Sequence, residues 1–140
     1  MVIQFHLRAE QIIERILLVS LERGDKLLDN AGLSFHQKLC VIEALNVLDS
    51  RYVDALRKLN KLRNTCAHVN SEPINKQEID KIGRCLGRTY TEIIRDIPKS
   101  DPLASLIIRL FAKIGSHMIL RTMSLEHPII ENANSSSVND

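Results

Sequence analysis

The chain has 140 residues, 44% of them hydrophobic but only 4% aromatic, with no Trp. That length allows one ordinary domain with a single core and excludes two independent ones. Lys and Arg number 19 against 17 Asp and Glu, a net charge of +2, which excludes binding driven by overall charge and leaves any basic footprint to local clustering.

At the N-terminus Gln4, His6, Arg8 and Glu10 break any apolar run, so no secretory signal is read there and the expected location is the cytoplasm. From Ile3 to Arg23, the residues Ile12, Ile13, Ile16, Leu17 and Leu21 recur at helical spacing, and Gly24 is expected to stop this first helix. A loop through Asp29, Asn30 and Gly32 leads to Ser34, whose hydroxyl can cap a second helix while Gln37 reaches back as its capping-box partner. The second helix runs to about Leu48. Asp49 and Ser50 offer the next cap, and Tyr52, Ala55, Leu56, Leu59, Leu62 and Cys66 form the apolar stripe of a third helix that ends near Ala67. After Pro73, Asn75 and Glu78 make another cap pair, and Ile79, Ile82, Leu86, Tyr90, Ile93 and Ile97 keep helical phase up to Pro98. Gly83 and Gly87 within this fourth helix point to close packing against a neighbour. Asp101 and Pro102 open a fifth helix as cap and first-turn proline, with periodicity to about Met123. Its stretch Leu103 to Leu120 is apolar, but Arg109, Lys113 and His117 stand four residues apart on one face, so no membrane span is expected. Residues 126–140, rich in Asn and Ser from Asn132 onward, are expected to be a disordered tail.

Five helices, no strand pattern and no repeat predict an all-α, five-helix up-and-down antiparallel bundle over residues 1–125. There is no glycine-rich phosphate loop, nucleophile elbow or paired-carboxylate motif. Cys40, Cys66 and Cys85 lie far apart without zinc-ligand spacing, so they read as reduced core residues, and no metal or cofactor is expected. His6, His36, His117 and His127 have no partners at ligand spacing and read as structural or solvated.

The third helix carries the chemically suggestive residues. At about 100° per residue, with Leu59 pointing inward, Arg63 falls about 40° away, inside the apolar sector. A guanidinium there needs a carboxylate, a partner subunit or a cleft, unless its stem snorkels to water from a core-edge ion pair. Arg57, Lys61, Asn64 and, if the helix reaches it, His68 share the opposite face at about 140–200°. This stripe is either a solvated face whose cations complement the helix dipole, or a surface on which Arg57 and Lys61 track phosphates while Asn64 and His68 sit at the reacting group. On an ideal helix Arg63 and His68 diverge by about 140°, so either the helix unwinds before His68 or two chains pool their residues.

The segment Leu59-Asn60-Lys61-Leu62-Arg63-Asn64-Thr65-Cys66-Ala67-His68 resembles the signature of the HEPN superfamily, an Arg followed by a polar residue and, after four to six positions, a His. The stretch Leu33 to Leu39 and the helical pattern over residues 3–123 resemble bacterial HEPN-like domains as well. The resemblance implies a helical bundle that dimerises with its motif helices facing each other. Many such proteins are metal-independent endoribonucleases of toxin–antitoxin or other defence systems, with an antitoxin or regulatory protein as partner. It implies Arg63 and His68 as a catalytic pair with Asn64 shaping the site, and on the phosphate-tracking reading of the stripe Arg57 and Lys61 would bind the RNA. Nuclease toxins of this kind that pair with a nucleotidyltransferase antitoxin usually carry a tyrosine two positions after the motif histidine, where this chain has Asn70. Other HEPN-like domains are catalytically silent dimers that act as regulatory or interaction modules.

Overall fold

The computed structural model describes residues 1–68 and 73–127, which are all-helical, with no strand among them. Asn70 and the expected tail beyond His127 lie outside the described residues. Seven helices occupy the described chain: α1 (Val2–Ser20), α2 (Gly24–Ala31), α3 (Phe35–Leu45), α4 (Ser50–Cys66), α5 (Lys76–Arg84), α6 (Arg88–Arg95) and α7 (Pro102–Glu126).

The difference from the expected five comes from an additional short helix, α2, where a loop was expected, and from a break in the expected fourth helix at Gly87. Gly24 does not end the first helix but begins α2, and it is buried because a Cβ there would sit 2.6 Å from the Leu17 carbonyl oxygen. The expected fourth helix divides between α5 and α6 at Gly87, whose φ of +57° is a left-handed conformation that side chains disfavour. The apolar phase runs unbroken across this turn, which is why periodicity alone reads one helix. Gly83 does the close packing expected of it, since a Cβ there would lie 2.2 Å from the Tyr90 ring, whereas nothing approaches Gly87 within 4 Å.

Capping behaves largely as read. Ser34 with Gln37 and Asn75 with Glu78 form complete capping boxes, and the Asp49 side chain accepts from the Arg51 amide at 2.9 Å. The expected second helix stops earlier, at Leu45, because Asn46 turns left-handed with φ of 54°. Asp101 also adopts positive φ and makes no side-chain cap bond, so Pro102 alone marks the start of α7. That helix continues to Glu126, one residue into the region read as tail.

The core is formed where α1 packs on α7, α3 and α4, with α4 also against α5 and α3. Ile13, Ile16, Leu17, Leu39, Ile42, Leu56, Leu59, Ile79, Ile82, Leu106 and Leu110 are fully buried in it, each side chain gaining about 1.5–3 kcal/mol from leaving water. Two ring pairs tie α7 to the rest: Phe5 stacks on Phe111 with centroids 4.3 Å apart, and Tyr52 on His117 at 3.6 Å. Lys38 is buried to 7% exposure between Glu10 and Glu14 of α1, 2.7 Å from each. By length and composition α7 is able to cross a membrane, but here its Leu106, Ile107, Leu110, Phe111, Ile114 and Met118 face the core. Cys66 and Cys85 are half-buried against the core, whereas Cys40, expected there too, is exposed; all three are free.

The contact between Gly83 and Tyr90 makes a direct test. The Tyr90 ring is buried and its hydroxyl donates to Asp80, so it has no room to retreat. Gly83→Ala should cost about 1–3 kcal/mol and Gly87→Ala about 1 kcal/mol or more through its backbone alone. Urea denaturation of the two variants reads both, and a neutral Gly83→Ala would show that α5 and α6 do not pack as described.

Candidate functional site

The helical phase of α4 divides it into two regions. Tyr52, Val53, Ala55, Leu56, Leu59 and Leu62 are buried, and beyond Leu62 only Cys66 still packs, half-buried, against the core. The other residues of the last turn face solvent. Arg63, although in phase with the stripe, is exposed, as are Asn64, Thr65 and His68. The desolvation cost foreseen for its guanidinium does not arise, because the side chain stays exposed to water.

The helix stops just before the motif histidine. Its last residue is Cys66, Ala67 caps it, and the His68 amide bonds to the Thr65 carbonyl at 3.3 Å rather than continuing the α-helical ladder. The regular α-helical hydrogen bonding thus ends before His68. An Arg63 Nη1 donates to Asn64 Oδ1 at 3.3 Å, linking the first two motif residues. The hydroxyl of Thr65 turns back to the Lys61 carbonyl at 3.2 Å.

The two cations assigned to RNA differ. Lys61 is exposed. Arg57 is held by Glu43 of α3 and by Asp54 at 3.3 Å, and the Glu43 bond raises its affinity for its proton while holding the Glu43 carboxyl below the usual range. Its guanidinium is thus engaged in joining α3 to α4.

One polar pair near the motif has no counterpart in the sequence reading. His6 of α1, 4% exposed, donates from Nε2 to Asn60 Oδ1 at 3.0 Å and packs its ring against Phe35. Arg63 is near enough for its charge to oppose protonation there, although burial is the larger cause of the lowered His6 pKa. Helical spacing places Asn60 and Arg63 on adjoining parts of one face, but nothing local points to a residue 54 positions away. His117 has a lowered pKa for the same first reason, burial, here under Tyr52. Among the described residues, no group of three or more His, Cys, Asp or Glu side chains could hold a metal ion. No protein-family model, curated protein or solved structure matches the chain.

The two buried imidazoles fix a sign for acid sensitivity. Both pKa values lie below 6.5 in the fold, so the unfolded chain takes up the protons first. Their contribution to stability is complete above about pH 6.5 and is lost as pH falls below it. Between pH 7.5 and 5.5 the melting temperature should therefore fall, and a His6→Gln, His117→Gln double variant should show a flatter profile. A profile as steep as wild type in that variant would place the acid sensitivity elsewhere.

Proposed function

We propose that this protein is a metal-independent endoribonuclease of the HEPN type, serving a toxin–antitoxin or defence role and working as a homodimer whose two α4 ends share one composite site. The observation that carries this reading is the exposed end of α4, where Arg63, Asn64 and His68 are each open to solvent and the helix ends before the histidine.

The residue types suit transesterification. His68 takes the proton from a ribose 2′-hydroxyl as its oxygen attacks the adjacent phosphorus, and the P–O5′ bond breaks. The departing 5′-oxygen takes a proton from the opposite imidazole of the dimer, leaving a cyclic phosphate on one product and a hydroxyl on the other. Arg63 presents a planar pair of donors to the charge that builds on the phosphorane oxygens, and Asn64 fixes the orientation of that guanidinium. Lys61 serves the flanking phosphates, with Arg57 in the supporting role its ion pairs give it.

A second reading is favoured by one feature. Exposed apolar side chains gather on α1 and α7, among them Leu7, Ile108, Ile119, Leu120 and Met123, a surface suited to protein contacts. On that reading the chain is a catalytically silent HEPN-like dimer that acts as a regulatory or interaction module.

Purified protein incubated with total RNA in excess chelator separates the two. Wild type should cleave, and His68→Ala should lose about 10²–10⁴-fold in rate with a stability change under about 0.5 kcal/mol, because the residue is exposed. Arg63→Ala should lose cleavage as well. Light scattering should return a dimer at micromolar concentration. Absence of cleavage across diverse RNAs, with both variants as stable as wild type, would leave the silent module.

A further inference from the structure

Between the C-terminal half of α4 and α5 lies a cleft of about 380 Å³, lined by Lys58, Lys61, Leu62, Thr65, Glu78 and Lys81. Three of these six side chains are ammonium groups. All three are exposed, and none has an ion-pair partner among the described residues.

The nearby carboxylates are engaged elsewhere. Glu78, the one acid on the wall, accepts from the Asn75 amide at 3.2 Å in the α5 capping box. Asp80 accepts from the Tyr90 hydroxyl and faces Lys76 at 3.8 Å, and Asp54 pairs with Arg57. Among the described residues, each of these acids is thus used to cap a helix or hold a neighbour. The walls carry three positive charges against one negative, and the positive ones come from both helices.

We propose that this cleft binds a small anion with adjacent phosphate groups, a nucleoside diphosphate or an inorganic polyphosphate. Its volume lies in the range of small-molecule sites. Three ammonium groups around one cleft, compact and free to turn, can meet several phosphate oxygens at once. An extended nucleic-acid strand would instead need cations spaced along a surface, and beyond Lys61 the adjoining cleft of about 410 Å³ contains the neutralised Arg57 and Asp54 pair. The proposal does not depend on RNA cleavage, because Lys58 and Lys81 have no part in the motif chemistry.

Calorimetric titration at low salt with ADP, pyrophosphate and adenosine tests it, using the full chain, a Lys58→Gln, Lys81→Gln double variant, and a Lys26→Gln, Lys99→Gln control of equal charge loss. The two phosphorylated probes should bind wild type and the control alike, lose about tenfold or more in affinity to the cleft variant, and be weakened by added salt; adenosine should not bind. ADP binding more tightly than pyrophosphate identifies the nucleotide form, and equal binding the inorganic form. Unchanged melting temperatures show that the variants remain folded. No binding by either phosphorylated probe, equal loss in the control, or lysine-dependent binding of an RNA oligonucleotide alone would overturn the proposal.

Discussion

Tyr52, Val53, Ala55, Leu56, Leu59 and Leu62 of α4 leave water together, and the position of every other functional feature follows from where that burial begins and ends. At its start, Asp49 caps the helix and its carboxyl is held down to about 2, first by the Arg51 side chain and then by the Arg51 amide. At its finish, Cys66 alone of the last turn still packs against the core, and the helix ends there. A charged, polar last turn is tolerated there because the apolar residues before it have already secured the helix. The motif residues can therefore be chosen for chemistry with little loss of stability, since exposed substitutions are inexpensive in a packed domain.

Burial of the stripe still leaves the helices free to slide, and buried polar groups restrict that freedom. Lys38 has two carboxylates of α1 as partners, and His6 has Asn60 of α4. In each case, a shift along the helix would strand a desolvated donor or acceptor, at about 1–3 kcal/mol or more for each group. Lys38 keeps its proton more tightly than usual despite burial, because Glu10 and Glu14 outweigh the desolvation that opposes it. Such pairs add little to net stability compared with an apolar core, but they define register.

The legible part of the fold was local. Ser34, Asp49 and Asn75 announce their helices through hydrogen bonds within three residues, and the all-helical class follows from the periodic runs between them. Helix α2 and the break at Gly87 were not legible, because Asp29, Asn30 and Gly32 read as loop, while the apolar phase continues across Gly87 and a glycine there reads equally as a packing point or a turn. Gly83 and Gly87 look the same in sequence; only the Tyr90 ring beside one and the positive φ of the other tell them apart. At the candidate site the motif was visible, but its surroundings were not. The helical wheel placed Arg63 inward, since it records direction and cannot record where the core stops. His6 and His117 were read as structural or solvated without partners, which lie on other helices.

This division of the histidines bears on how any activity is to be interpreted. His6 is buried against Phe35 and His117 is half-buried against Tyr52, whereas His68 is exposed just past a helix end. Burial has thus separated two imidazoles packed into the fold from one that is open to solvent. The first two resist protonation because burial disfavours the charged form, so mild acid loosens their contacts with α4, through Asn60 and through Tyr52. A fall in activity on acidification would therefore combine the titration of any exposed catalytic group with a loosening of the helix that carries it. Only a profile measured alongside stability, and compared with that of a chain lacking these two imidazoles, separates the two contributions.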